Sequence, residues 1–245
     1  MFDLSGISNK SLIGRLLRLP LKLIPGNKVM PVLQGPLKGK KWIVGSGTHG
    51  YWLGTYELEF QKKFASYIKQ GCVVYDLGAN AGFYSLLASV LTGEKGKVFA
   101  FEPVKANLEF LYKHIGLNGI TNIKVVPKAV ADIDGVLKFG LGSSSFTGRI
   151  DAQGKTEVEA LKLDTFIRDN PKPDVIKIDI EGGESKALIG AKVLLRNYKP
   201  VIFLATHGRE VHTHSVQFLN YYGFETESLN EKPLKETDLI IAVKK

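Results

Sequence analysis

Short apolar runs alternate along this chain with stretches in which apolar residues recur at helical spacing. The runs have the length and composition of buried strands, and they lie at 72–77, 98–101, 123–126, 175–178 and 201–205. After the first run, one face of a predicted helix carries Phe83, Leu86, Leu87 and Val90. Strands that alternate with helices in this way predict an α/β fold with a parallel sheet.

Other segments predict strands outside this alternation. Val136–Phe139 and Thr156–Ala160 predict an inserted pair of strands around a small, polar segment at 140–149. Near the C-terminal end, a helix over 216–222 precedes strands at 223–226 and 238–243, which a hairpin joins.

Residues 1–45 differ from the rest and predict an N-terminal arm in front of a domain at 46–245. Ser11–Leu19 predicts a short amphipathic helix that Pro20 ends, and the prolines and glycines of 21–36 predict an irregular connection. Two interpretations of the arm stay open. Its cationic residues and leucines could contact an anionic membrane surface, or it could pack on its own domain or on a partner subunit.

The turn after the first strand has the pattern Asp76-x-Gly78-x-Asn80-x-Gly82. Glycine adopts backbone conformations that other residues resist, which predicts a tight turn into the following helix. The next strand ends at Glu102, 20 residues beyond Gly82, where a βαβ nucleotide site places the acid that binds a ribose diol. An acid at Asp76 disfavours a pyrophosphate, and hence a nicotinamide dehydrogenase, and suits a ligand with an amino group and a sulfonium.

A second group of polar residues follows the strand at 175–178. Asp179 ends that strand, Glu181 lies just beyond it, and Gly182-Gly183 permit a sharp turn. Ligands of doubly wound sheets bind outside the carboxyl ends of the strands, so we expect these two acids to converge with Asp76 and Glu102. Like charges at close range raise each other's pKa, so the convergence predicts a cationic ligand or a metal ion.

The two motifs, Val74–Ser85 and Val175–Glu184, together resemble those of the FkbM family of class I S-adenosylmethionine-dependent O-methyltransferases. The resemblance covers roughly residues 45–245. It implies a Rossmann-like, doubly wound and mostly parallel seven-stranded sheet with an antiparallel last strand. The residues it implies for S-adenosylmethionine are Asp76, Gly78, Asn80, Gly82, Phe83, Glu102, Ala129, Val130 and Asp179.

The acceptor side is less well defined by the sequence. The family's Trp-x-Gly-x-Tyr-Glu segment implies that Trp52, Tyr56 and Glu57 line the mouth of the site, whereas a helix start packed on the core is the alternative. Ser144 and Arg149 lie in the polar segment after the first inserted strand and are candidate acceptor contacts, with a mobile surface loop as the alternative.

An alcohol becomes a good nucleophile only when its proton is drawn off, and three residues are candidates for that role. They are His207, Asp179 and Glu181, with His207 ranked first because it follows a strand. A divalent ion such as Mg²⁺ on Asp179 and Glu181 could instead lower the pKa of the alcohol, although no metal site is assigned. Family members often carry an acid two positions before His207, where this chain has Ala205.

Composition changes this picture only slightly. The single cysteine, Cys72, excludes an intramolecular disulfide and favours a cytoplasmic location, with peripheral membrane contact through the arm as an addition. The net charge of +9 keeps an RNA methyltransferase as an alternative, and a non-catalytic binding module or a homodimer also stays open. The lysines are spread along the chain without interleaved aromatic residues, so a small-molecule, sugar or glycan acceptor ranks above nucleic acid.

Overall fold

A seven-stranded sheet runs through the centre of the computed structural model, which describes residues 20–141, 148–150 and 153–244. Only the backbone is described for 20, 22, 141 and 148–150. The strands are β1 (Val29–Pro31), β2 (Lys41–Ile43), β3 (Val73–Leu77), β4 (Lys97–Phe101), β5 (Ile123–Val126), β6 (Ala129–Val130), β7 (Gly135–Leu141), β8 (Gly148–Ile150), β9 (Thr156–Leu161), β10 (Val175–Ile178), β11 (Val201–Ala205), β12 (Glu225–Ser228) and β13 (Leu239–Val243). The α-helices are α1 (Gly50–Leu53), α2 (Leu58–Tyr67), α3 (Phe83–Thr92), α4 (Lys105–Leu117), α5 (Leu163–Phe166), α6 (Glu184–Ile189), α7 (Lys192–Asn197) and α8 (Arg209–Tyr221).

The order of the central sheet is β12-β13-β11-β10-β3-β4-β5. Strands β5, β4, β3, β10 and β11 pair in parallel, whereas β13 pairs antiparallel with both β11 and β12. This arrangement confirms the predicted doubly wound, mostly parallel seven-stranded sheet with its antiparallel last strand. The strand order reverses direction between β3 and β10, so a ligand site is expected where these two strands end.

The sheet is buried on both faces, which explains why its strands read as continuous apolar runs. On β3, Val74 packs into one hydrophobic cluster with Phe83 and Leu86 of α3. The next residue, Tyr75, packs into the cluster on the opposite face, together with Leu188 of α6. Alternate residues of each strand thus bury on opposite sides, and helices cover both.

The predicted inserted pair of strands is present as β7 and β9, which pair antiparallel with Leu137 opposite Val158. They belong to a separate sheet with the order β6-β9-β7-β8. The sequence did not predict β8, nor that β6 pairs in parallel with β9. This second sheet therefore begins at Ala129 and Val130, two residues implied for the cofactor.

The described part of the arm packs on the domain, which was one of its two interpretations. Strands β1 and β2 form an antiparallel hairpin, so the prediction of an irregular connection over 21–36 is wrong for Val29–Pro31. Trp42 is fully buried and stacks on His114 of α4, whose Nε2 accepts the Ile43 N–H. The helix predicted at Ser11–Leu19 lies outside the described residues, and the division of the chain at residue 45 stays a prediction.

One predicted helix begins earlier than expected, since α8 starts at Arg209, well before residue 216. The Asp164 carboxylate accepts the N–H groups of Val193 and Leu194 at the start of α7, which joins α5 to that helix. Within the described part of the chain, every helix is too short or too polar to cross a membrane.

Candidate active site

A cavity of about 250 Å³ opens at the carboxyl ends of β3, β4 and β10, where the strand order reverses. Its wall brings together most of the residues that the sequence singled out. These are Tyr56, Gly78, Asn80, Phe83, Glu102, Ala129, Val130, Asp179 and Glu181.

The turn after β3 brings its backbone close to the end of β10. Gly78 has a φ of +78°, and a Cβ atom at this position would lie 1.9 Å from the carbonyl oxygen of Asp179. The N–H groups of Gly78 and Ala79 both donate to the Phe101 carbonyl at the end of β4. Only glycine fits this approach, so the turn forms a narrow cradle of main chain between β4 and β10.

Glu102 follows β4 and is held in a fixed orientation, with 4% of its surface exposed. One carboxylate oxygen accepts the Asn80 N–H at 2.8 Å, and the other accepts the Val104 N–H at 2.9 Å and the Asn107 amide at 3.2 Å. Burial raises the pKa of Glu102, and these donors partly offset that rise. A carboxylate offers about four acceptor positions, so three protein donors still leave room for a ligand hydroxyl.

Asp76 occupies a different place from the one predicted. It has no exposed surface, and its carboxylate accepts the Ser85 hydroxyl at 2.6 Å. The Nζ of Lys177 lies 3.2 Å from the other carboxylate oxygen. A direct contact of Asp76 with the methionine end of a ligand would require its neighbours to move, so we assign it instead as the partner of Lys177.

Lys177 is the main site residue that sequence reasoning missed. Its buried ammonium lies 3.2 Å from Asp76 and 3.7 Å from Asp179, and it donates to the Gly78 carbonyl at 2.9 Å. Burial by itself would lower the pKa of Lys177, but the charges of Asp76 and Asp179 outweigh it and leave that pKa raised. A cation inside the otherwise apolar run of β10 was the signal for this role.

This internal cation changes one conclusion drawn from the sequence. The convergence of carboxylates was expected to require a cationic ligand or a metal ion, but Lys177 and His207 supply positive charge from within the chain. The converging carboxylates therefore do not by themselves require a cationic ligand or a metal ion. Among the described residues, no group of three or more His, Cys, Asp and Glu side chains is arranged to hold a metal ion.

His207 follows β11 and faces three carboxylates. Its Nδ1 lies 2.9 Å from Glu184, and its Nε2 lies 3.6 Å from Asp179 and 3.8 Å from Glu181. The hydrogen bond to Glu184 is the largest cause that raises the pKa of His207 to about 9. A pKa of about 9 disfavours His207 as the base, because an imidazole with that pKa keeps its proton near neutral pH.

Glu184 is a second residue that the sequence argument left without a role. It is fully buried at the start of α6 and accepts the Gly182 N–H at 3.0 Å, next to the exposed Glu181. Burial would raise the pKa of Glu184, but the hydrogen bonds from His207 and Gly182 outweigh it and lower that pKa. Glu184 thus ties the Gly182-Gly183 turn to His207.

The pairing of His207 should make stability depend on pH. Because the folded state raises the pKa of His207 from 6.5 to about 9, the contribution is complete below the lower value and is lost as the pH rises through the higher one. We expect the free energy of unfolding of the wild type to fall relative to His207→Gln between about pH 6 and about pH 10, measured by denaturant unfolding. A difference between the two proteins that does not change with pH would contradict the protonated pair.

The remaining predicted acceptor residues differ in where the structure places them. Tyr56 lines the cavity beside Tyr51 and Phe83. Trp52 is buried and donates to the His49 ring, so its predicted place at the mouth is wrong and the alternative of core packing is correct. Glu57 is exposed and accepts the hydroxyl of Tyr84, which lines the cavity, at 2.7 Å. Ser144 and the Arg149 side chain lie outside the described residues.

Comparison with solved structures places the fold among the class I methyltransferases. The structure of a SAM-dependent O-methyltransferase from Thermotoga maritima matches with a TM-score of 0.51 and 12% identity, covering 93% of this chain and 81% of that one. The FkbM methyltransferase from Methylobacillus flagellatus matches with a TM-score of 0.50 and 18% identity, covering 77% of this chain and 51% of that one. Similarity at this level of identity establishes the fold alone.

Comparison of the sequence with protein families identifies one family within the class I methyltransferases. The methyltransferase FkbM domain matches residues 76–226, and the chain belongs to this family, as its two motifs predicted. The hexuronic acid methyltransferase AglP of Haloferax volcanii is 28% identical over 145 residues, which cover 53% of this chain and 54% of that protein. The chain thus matches about half the length of this relative.

Proposed function

We propose that this protein is an S-adenosylmethionine-dependent O-methyltransferase that acts on a hydroxyl group of a sugar, glycan or other small acceptor. The observation that carries the proposal is the position of Glu102, fixed by three donors in the same cavity as the Gly78 cradle. A carboxylate at the end of the second strand of a βαβ unit is the group that binds a ribose diol.

The residues of the cavity fit this cofactor. Glu102 would bind the ribose hydroxyls, the turn from Gly78 to Gly82 would hold the methionine end, and Ala129 and Val130 would lie along the adenine. The missing side chain at Gly78 lets the turn lie directly against the Asp179 main chain, and the two together shape this wall of the cavity. When bound, S-adenosylmethionine supplies a methyl group that the neighbouring sulfonium makes electrophilic.

The chain's own residues would then orient the acceptor and receive its proton. Tyr51, Tyr56, Phe83 and Tyr84 form an aromatic part of the cavity wall, which would limit the access of water to the reacting groups. Asp179 lies between Lys177 and His207, whose charges fix its position at the cavity wall. We therefore assign Asp179 as the first candidate for the proton acceptor, with the more exposed Glu181 as the second.

Two observations support a saccharide as the acceptor, namely the similarity to AglP and the presence of a cavity beside the proposed cofactor site. AglP is named as a hexuronic acid methyltransferase, and a hydroxyl of a saccharide is the acceptor chemistry that we propose here. Placement of the acceptor close to the methyl group supplies most of the rate in such a reaction, and a cavity at the strand ends would provide that placement. Transfer of labelled methyl from S-adenosylmethionine to saccharide hydroxyls, lowered by Asp179→Asn, is the expected result.

Binding of the demethylated product tests the cofactor assignment directly. Glu102→Gln should weaken binding of S-adenosylhomocysteine about 10–100-fold, because the amide replaces charge-assisted hydrogen bonds to the ribose. Isothermal titration calorimetry measures the change, and thermal unfolding verifies that the variant folds. Glu102→Ala would be less informative, since it leaves buried N–H groups without their acceptor.

The matched control for that experiment is Glu181→Gln. This substitution removes the same charge from the same cavity wall, but Glu181 is half exposed at the rim. Its effect on binding should remain below about fivefold. Equal effects of the two substitutions would show a general response to charge and would remove Glu102 from the ribose site.

A further inference from the structure

The net positive charge of the chain is concentrated near its N-terminal end. Residues 4–56 contain eight Lys and Arg and no Asp or Glu. The remaining 25 basic residues nearly balance the 24 acids of the chain. The lysines are therefore spread along the sequence, as stated above, but the excess positive charge belongs almost entirely to this segment.

The described part of this segment exposes both charge and apolar surface. Lys28, Lys38 and Lys41 are exposed on the β1–β2 hairpin and its turn. Among the ten large apolar side chains that are exposed in the described structure, three lie here: Leu23 at 80%, Val29 at 39% and Leu33 at 48%. We refer to these six residues as the basic hairpin surface.

The hairpin geometry places part of this surface on one face. Val29 pairs with Ile43 and Pro31 pairs with Lys41, and directly paired residues point to the same side of a two-stranded sheet. Val29 and Lys41 therefore share a face. The opposite face carries Trp42, which is buried against the domain.

The lysines of this surface have no acidic partners among the described residues. Ion pairs in the described structure involve Lys62, Lys128, Lys162, Lys177 and His207, and none of them involves Lys28, Lys38 or Lys41. No ion pair within the described part of the chain thus neutralises their positive charge. A partner with negative charge would supply the missing pairs.

We propose that the basic hairpin surface binds an anionic lipid membrane. Lysines that surround exposed aliphatic side chains suit a lipid interface, where the charges meet the headgroups and the apolar groups enter the boundary with the acyl chains. Binding of single-stranded RNA relies on exposed aromatic rings that stack with bases. The exposed aromatic residues of the described structure are Tyr112, Tyr198 and Tyr221, and all of them lie outside residues 20–56.

The surface has a fixed position relative to the cavity. The Leu33 N–H donates to the Trp52 carbonyl at 2.9 Å, which joins the hairpin to α1. The same helix carries Tyr51, whose ring packs on Phe83 in the cavity wall. A membrane bound at the basic hairpin surface would therefore hold the cavity at a constant orientation to the lipid.

Vesicle sedimentation with the full chain tests this inference. Vesicles of equimolar phosphatidylcholine and phosphatidylglycerol should sediment the protein, and vesicles of phosphatidylcholine alone should not. The triple variant Lys28→Gln, Lys38→Gln and Lys41→Gln should bind the anionic vesicles on the order of 100-fold more weakly, since each lysine near the surface contributes about fivefold. The double variant Leu23→Ser and Leu33→Ser should also bind these vesicles more weakly. Because this loss comes from apolar contact and not from charge, adding salt to the wild type should not reproduce it.

The matched control is the triple variant Lys95→Gln, Lys172→Gln and Lys192→Gln, which removes the same charge from exposed lysines elsewhere. It should retain binding to within about threefold. Equal losses in the two triple variants, or no binding to anionic vesicles, would overturn the proposal. So would binding of a single-stranded RNA oligonucleotide that depends on Lys28, Lys38 and Lys41 in the absence of vesicle binding.

Discussion

Gly78→Ala should lower the free energy of unfolding by about 2–5 kcal/mol and abolish measurable binding of S-adenosylhomocysteine. The added methyl would lie 1.9 Å from the Asp179 carbonyl oxygen, and it would have to do so at a φ of +78°. Main chain cannot yield as a flexible side chain can, so either the β3 turn or the end of β10 must move. Both of these elements form the cavity wall, which is why stability and binding should fall together.

Gly39→Ala separates the conformational cost from the steric one. Gly39 has a φ of +83°, close to that of Gly78, but a Cβ atom there would meet nothing within 4 Å. This variant should lose only about 1–2 kcal/mol and should bind the ligand normally. Denaturant unfolding and calorimetry on both variants provide the comparison. A loss at Gly78 that is no larger than at Gly39 would mean that the cradle relaxes and does not define the site.

Lys177→Met should lower the free energy of unfolding by about 3–5 kcal/mol, because it leaves the carboxylate of Asp76 buried without its cation. Methionine matches the length of the lysine stem, so lost packing contributes little. The same change removes the group that contacts both Asp179 and the Gly78 carbonyl, and methyl transfer should fall with stability. Unfolding in urea measures the first effect, and a labelled-cofactor assay measures the second.

The double variant Asp76→Asn with Lys177→Met tests the cause. With the charge removed from both partners, more than half of the lost stability should return, as expected for a buried ion pair replaced by neutral groups. The Ser85 hydroxyl would keep an acceptor in the asparagine side chain. If the two single effects simply add, Lys177 stabilises the fold independently of Asp76, and the assignment of Asp76 as its partner fails.

Much of the fold followed from local pattern. Continuous apolar runs on β3, β4, β5, β10 and β11 identified strands buried on both faces, and the glycines after β3 marked a turn that only they can form. Pairing between strands that are separated in the sequence has no comparable local sequence pattern. The hairpin of β1 with β2 and the pairing of β6 with β9 depend on contacts between distant segments, and neither was predicted.

The residues of the candidate site likewise include some that the local sequence predicts and some that it does not. Residues on the β3 turn and at the ends of β4 and β10 follow from the rule that ligands bind beyond parallel strands, and the structure gathers them as expected. The missed residues are buried charges, Lys177 and Glu184, whose roles depend on partners in other segments. A lone lysine in an apolar run indicates that some acid lies near, but the sequence does not say that Asp76 is that acid.

The ion pair of Lys177 with Asp76 also constrains how relatives of this protein can diverge. A lineage that loses either residue first must pass through a form with an isolated charge in its interior, and selection against unstable proteins acts on that intermediate. The two positions should therefore be inherited as a unit or be replaced together. In an alignment of descendants, we expect substitutions at one of them to be matched by substitutions at the other.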